Sequence, residues 1–166
     1  MKTLYLMRHA KSSWENENIN DMDRPLNARG DRDAPFMGQI MLQKGVLPEE
    51  IISSPAERTL ATLRHICPVI NVPFQRVKVN PSLYAASPSE MLILIKEINE
   101  NVQSALLLGH NPGLTDLSNY LSGYPIDNIP TCGIVELFFN RKSWQEIELG
   151  SCQMGFFEYP KKYFKS

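Results

Sequence analysis

Two short apolar runs in this chain stop at a histidine. Leu4-Tyr5-Leu6-Met7 runs straight into Arg8-His9, and Ala105-Leu106-Leu107-Leu108 into Gly109-His110. An uninterrupted apolar run of this kind reads as a strand buried on both faces, the condition of strands in a parallel sheet. In open α/β sheets, ligands bind beyond the carboxyl ends of the strands. The sequence therefore carries an arginine and two histidines to the edge where such a sheet binds its ligands.

Around these runs, strands alternate with helices. The first strand covers 2–7. A polar, turn-rich stretch follows, WENENINDMDRPLN, too polar for a core and suited to an active-site loop. Asn27 caps a helix reaching about Lys44, interrupted or kinked near Pro35, with Gly45 at its end. EEIISS (49–54) is a short strand. Ser54-Pro55-Ala56-Glu57 then matches an N-cap, a first-turn proline and a capping-box glutamate, opening a helix that stops before Pro68. VKVN (77–80) is a strand, and Ser87 or Ser89 opens a helix with Leu92, Ile95 and Ile98 at helical spacing. Asn111 and Pro112 start another helix, as N-cap and first residue, running to about Leu121. GIVELFFN (133–140) and SWQEIELG (143–150) read as two strands joined by a short turn, and the last sixteen residues as a peripheral tail. The pattern predicts one α/β domain over residues 1–166. It has three layers: a mostly parallel central sheet, helices on both faces, and an antiparallel edge.

Composition narrows the chemistry. A chain of 166 residues, 43% hydrophobic and 21% charged, suits one globular domain with a real core. A net charge of −1 argues against bulk attraction to nucleic acid or an anionic membrane, so any anion site must be a local cluster of cations. The three cysteines, Cys67, Cys132 and Cys152, are odd in number and contain no CxxC, which disfavours a disulfide framework or a zinc site. With no signal-peptide pattern and no apolar stretch near the ~20 residues that span a bilayer, the expectation is a cytoplasmic monomer.

Three strand ends carry the candidate site. The first supplies Arg8-His9, the second leads to Arg58 in the first turn of a helix, and the third supplies His110. Two arginines, two histidines and two helix N-termini make a pocket for a phosphoryl group: the guanidinium fork matches phosphate oxygens, and helix N-termini add oriented N–H donors. Each residue has an ordinary alternative. Arg58 can be a solvated helix residue, although a cation is disfavoured at a helix start. His110 can be a capping or core histidine. A metal held by His9 and His110 is a poor fit, since no carboxylate or cysteine set accompanies them and two arginines would repel a cation.

These pieces, LYLMRHAKS, DRPLNARG (23–30), IISSPAERTLAT (51–62), LY (83–84) and LLLGHNPGLTDL (106–117), resemble the histidine phosphatase superfamily, of phosphoglycerate-mutase-like fold. They are most similar to its small SixA-type phosphohistidine phosphatases. The superfamily signature Arg-His-Gly here reads Arg8-His9-Ala10. The resemblance implies that His9 is a nucleophile forming a phosphohistidine intermediate. Arg8, Arg58 and His110 would bind the phosphoryl oxygens, with no metal or other cofactor. Ser12, Arg24 and Asn111 are further candidates for phosphate or substrate contact. Lys11 can extend a positive rim, while Trp14 and Tyr84 can line the pocket. A nucleophilic imidazole must be neutral, with its second ring nitrogen held by an acceptor, expected to be a backbone carbonyl near Ala10.

Many members of the superfamily add a Glu or Asp as general acid after the third strand. Here that region reads NPSLYAASPSE, and Glu90 fits a first-turn helix residue better than an acid. Asp21 and Asp23 lie in the polar loop, from which either can swing in. A leaving group that needs no strong acid is therefore favoured, and phosphohistidine has one, because imidazole leaves neutral after taking a proton near neutral pH. The expected partner is a phosphohistidine-bearing protein. The rivals are a phosphatase for small phosphate esters, which needs an acid, and a non-catalytic phosphate-binding adaptor.

Overall fold

The computed structural model describes residues 1–164. Its strands are β1 (Lys2–Arg8), β2 (Glu50–Ser53), β3 (Lys78–Val79), β4 (Ser104–Gly109), β5 (Ile134–Phe139) and β6 (Gln153–Glu158). Its helices are α1 (Ala28–Gln43), α2 (Glu57–Ile70), α3 (Pro88–Lys96) and α4 (Gly113–Ser122). The strands form one sheet in the order β3-β2-β4-β1-β5-β6. The first four are parallel, while β5 and β6 form the expected antiparallel edge.

The apolar runs divide between two cores as their period of two requires. Leu4 and Leu6 of β1, with Ala105 and Leu107 of β4, face the core that α3 and α4 cover through Met91, Leu94, Ile95, Leu114, Leu117 and Leu121. Tyr5, Met7, Leu106 and Leu108 face the other core, covered by α1 and α2 through Met37, Ile40, Met41, Leu63, Ile66 and Ile70. Helices thus lie on both faces of the sheet. Arg8 of β1 is registered against Gly109 of β4, and Ser53 of β2 against Leu108. That register sets His9, His110 and Ser54 side by side at one edge. Among the described residues, no helix is long and apolar enough to cross a membrane.

Four local expectations are corrected. Helix α1 runs through Pro35, and α2 through Pro68 to Ile70, ending at Asn71 in the left-handed region with φ 60°. An interior proline costs a helix ~3 kcal/mol. Burying Ile66, Cys67 and Ile70 offsets that, at roughly 1.5–3 kcal/mol for a large aliphatic side chain. Ser54 is not the N-cap of α2. That position is Ala56, and Glu57 pairs with Arg64 instead of closing a capping box. The next helix, α4, begins at Gly113, one residue after the expected Pro112. Finally, SWQEIELG is not a strand. Trp144–Glu146 is a 3₁₀ turn with a Ser143/Glu146 capping box, and the buried Trp144 donates its indole N–H to Val102 O at 2.9 Å. The last strand, β6, comes from the segment expected to be a tail.

Candidate active site

The site is built where β1 ends. The His9 N–H donates to Gly109 O at 3.3 Å, and its carbonyl accepts from the Cys132 N–H at 2.9 Å, so both neighbouring strand ends hold its backbone. Its ring Nδ1 lies 2.7 Å from Ala10 O. A carbonyl only accepts, so Nδ1 carries the proton and the Nε2 lone pair is left available. This is the acceptor expected from the sequence. The Ala10 N–H donates to Thr62 Oγ1 at 2.9 Å, and Thr62 Oγ1 donates to Arg58 O at 2.7 Å, tying the histidine loop to the first turns of α2. Ala10, where the signature has glycine, is fully buried in the core that α1 and α2 cover. The same loop packs on α1 so closely that a Cβ at Gly30 would lie 2.2 Å from Lys11 O, which explains a glycine in NARG.

His110, at the end of β4, faces His9 with ring centroids 5.2 Å apart. Arg58 reaches both His110, through Nη2 at 3.4 Å from Nδ1, and Asp21, through Nη1 to the carbonyl at 2.7 Å and Nη2 to Oδ2 at 3.1 Å. A guanidinium only donates, so His110 Nδ1 accepts and its Nε2–H donates to Ser54 Oγ, 2.8 Å away. Ser54 also accepts from the Ala56 N–H at 3.2 Å. Its place is thus to orient His110, a role hidden in the sequence by the local resemblance to a cap. Arg8 donates to Ile129 O at 3.2 Å. The Nε atoms of Arg8 and Arg58 are buried without a hydrogen-bond partner among the described residues. Buried, unmet guanidinium N–H groups fit an anion site, because leaving them unmet is costly.

The remaining candidates fall into three groups. Arg24 and Ser12 enter the site: Arg24 is buried, donates to Ser12 Oγ and to Asp21 Oδ1 (3.2 Å), and stacks on Trp14 at 3.6 Å from the ring centroid. Lys11 and Trp14 line the same 210 Å³ cavity as His9 and His110. Tyr84 packs edge-on against His110 at 5.6 Å and donates its hydroxyl to Asp21. Asn111 also lines the cavity, but its amide N–H groups go to Asn128 Oδ1 (2.8 Å) and Ile129 O (2.9 Å) and its oxygen to Thr115, so it braces a loop in place of the expected phosphate contact. Asp23 is exposed, and only its backbone N–H is engaged, with Asn20. Glu90 closes the Ser87 capping box of α3.

Burial, reinforced by His110, Arg58 and Arg8, pushes the His9 pKa down to about 3, against the opposing pull of the Ala10 carbonyl. Burial and Arg58 lower His110 to about 4. Hydrogen bonds from Tyr84, Arg58 and Arg24 hold Asp21 near 2, so it is a carboxylate at neutral pH. Both imidazoles are then neutral far below the ordinary histidine pKa of about 6.5. An NMR titration of the His9 ring should show no protonation between about pH 7 and 5, and kcat/KM should show no loss from this group over that interval. A ring that titrates near its ordinary value would refute this.

The profile of the histidine phosphatase superfamily (branch 1) matches residues 4–83. A chloroplastic protein of Arabidopsis thaliana is 32% identical over 154 residues, 87% of this chain and 70% of that protein. The SixA protein of Agrobacterium tumefaciens, assigned as a phosphohistidine phosphatase, superposes with a TM-score of 0.83 at 26% identity, over 96% of this chain and 98% of that one. The mycobacterial glucosyl-3-phosphoglycerate phosphatase shares the fold at 13% identity and a TM-score of 0.67, covering 96% and 98% of the two chains. With the profile on its first three strands and first two helices, and with SixA architecture over 96% of its length, the chain belongs to the histidine phosphatase superfamily.

Proposed function

We propose that this phosphatase removes phosphate from phosphohistidine in a protein, through a phosphoryl intermediate on His9. The supporting observation is the state of Asp21. It is the carboxylate placed among the site residues, and three donors hold it ionised. An ionised carboxylate has no proton to give to a leaving group. A sugar or alkyl alkoxide needs that proton; an imidazole takes its proton from solvent, on the ring nitrogen away from phosphorus, before the bond breaks. In the proposed cycle, His9 Nε2 attacks phosphorus in line as the substrate's phosphorus–nitrogen bond breaks. The departing imidazole leaves neutral because its other ring nitrogen has taken a proton from solvent, which an imidazole does near neutral pH. Water then attacks the phosphorus on His9, the new bond breaks, and inorganic phosphate departs. Arg8, Arg58 and Arg24 stabilise the charge on the three equatorial oxygens, which is where phosphoryl transfer gains most from a protein, and His110 positions Arg58 through its Nδ1.

The test is a rate comparison between a phosphohistidine protein and an alkyl phosphate, in wild type and in Asp21→Asn. The amide keeps the shape and removes the proton. Phosphohistidine should be the faster substrate, and Asp21→Asn should change its kcat/KM by less than about tenfold, below the 10²–10⁴-fold contribution of a positioned general acid. Faster alkyl phosphate turnover that collapses in Asp21→Asn would make Asp21 an acid and the protein a small-ester phosphatase.

A further inference from the structure

A second cavity of 190 Å³ adjoins the catalytic one and shares Arg8, Lys11 and Thr131 with it. Beside Arg8 and the loop 128–131, three segments bring cations there. The loop after β1 brings Lys11, the first turn of α1 brings Arg29, and the 3₁₀ turn Pro160–Lys162 brings Lys161. With Arg8 this makes four cations around one carboxylate, Asp33. Arg32 takes one oxygen of that carboxylate, Oδ1, through Nε at 3.0 Å and Nη2 at 2.8 Å, and Arg29 Nε forms a looser i,i+4 pair with the other, Oδ2, at 3.8 Å. Arg29 Nη2 also donates to Thr131 Oγ1 at 3.1 Å. A cation in the first turn of a helix gains nothing from the helix dipole, so Arg29 gives the helix only its i,i+4 pair with Asp33 while its Nη2 reaches Thr131 on the cavity wall. In a chain of net charge −1, this concentration of positive charge on one rim is a local feature.

We infer that this cavity is a specificity subsite for a second anionic group on the substrate. Resting on the phosphohistidine reading, it accepts an Asp or Glu side chain close to the phosphorylated histidine of the substrate protein. The contrast between the two cavities supports a carboxylate over a second phosphate. The catalytic pocket offers buried arginines with unmet N–H groups, the planar fork that binds phosphate. Apart from Arg8, which lines both, its neighbour offers half-exposed and exposed cations, Arg29 and the lysines Lys11 and Lys161, and lysines act as mobile point charges. Charges of that kind select and steer a protein partner at the rim of a contact.

The test uses three phosphohistidine peptides that differ only in the flanking residues: acidic, neutral amide, or lysine. Wild-type kcat/KM should favour the acidic peptide over the neutral one about five- to tenfold at low salt, the range for a few exposed ion pairs, and the preference should shrink at high salt. Arg29→Gln should bring the acidic-to-neutral ratio toward one. Lys161→Glu should invert the preference toward the lysine peptide, a result that poor folding cannot produce. Equal turnover of all three peptides by wild type would overturn the subsite and leave the phosphohistidine function standing. So would an acidic preference that both variants retain. A small bisphosphate consumed faster than any peptide, with the same dependence on Arg29 and Lys161, would overturn the carboxylate assignment. No turnover of any peptide beside rapid loss of an alkyl phosphate would overturn the phosphohistidine reading itself, and this assignment with it.

Discussion

Replacing His9 by alanine should lower phosphohistidine turnover by on the order of 10,000-fold or more, the scale on which a covalent enzyme loses its nucleophile. The neighbouring groups do not substitute for it. The Nδ1 of His110 faces Arg58 and its Nε2 faces Ser54, so neither nitrogen is available as an attacking lone pair. The remaining cavity keeps its cations, so phosphate should still bind and KM should move much less than kcat. Rapid denaturing quench of wild type with labelled substrate should trap phosphate on His9 in an acid-labile, base-stable form, and His9→Ala should trap none. Circular dichroism and thermal unfolding separate this loss from unfolding. The variant removes one hydrogen bond, Nδ1–H to Ala10 O, from a ring that burial already disfavours charging, and the backbone bonds of residue 9 remain. Turnover within tenfold of wild type would mean that phosphate is released by direct attack of water.

Much of this site was legible in the sequence because it rests on short-range rules. An apolar run that ends on Arg-His or Gly-His fixes where the side chains emerge, and parallel pairing of β1 with β4 does the rest. The Ala10 carbonyl was foreseeable for a related reason: a buried neutral imidazole needs an acceptor, and the nearest is one residue away. What was not legible depends on distant partners. Ser-Pro-Ala-Glu satisfies the capping-box pattern, yet Ser54 serves His110, 56 residues on. Asp21 stands in a polar loop with nothing local to fix it. It is held by Arg58 and Tyr84, 37 and 63 residues away, and by Arg24 close by. Pro68 reads as a helix stop, and the buried residues on either side of it override that signal. In SWQEIELG, Trp144 and Ile147 are buried three residues apart, the spacing of a turn, but the alternating polarity around them imitates a strand. The antiparallel edge was therefore right in kind and displaced by one segment, because β6 is an edge strand whose outward residues look like those of a tail.

Arg58→Ala should cost roughly 10²–10³-fold in kcat, the usual loss when one preorganised donor to developing charge is removed. Arg58 is 6% exposed, and its guanidinium spans from His110 to the Asp21 loop. Two effects combine in the variant. The equatorial phosphoryl oxygens lose a charged donor in a site that largely excludes water, and Asp21 loses one of the donors that keep it ionised. The second effect has a direct signature: the Asp21 pKa should rise from about 2 toward the ordinary carboxylate value of about 3.9, with Tyr84 and Arg24 limiting the rise. Arg58→Lys distinguishes charge from geometry. An ammonium restores the positive charge but not the fork that meets the Asp21 carbonyl at 2.7 Å and its carboxylate at 3.1 Å together. If Arg58 acts through charge on the transition state, lysine should recover part of kcat, ten- to thirtyfold below wild type being a reasonable order of magnitude. If it acts chiefly by fixing the loop, lysine should perform no better than alanine, and Asp21→Asn should lower kcat to a similar degree. Measuring kcat and KM separately for these three variants decides between the two, because a donor to the transition state lowers kcat with little change in KM.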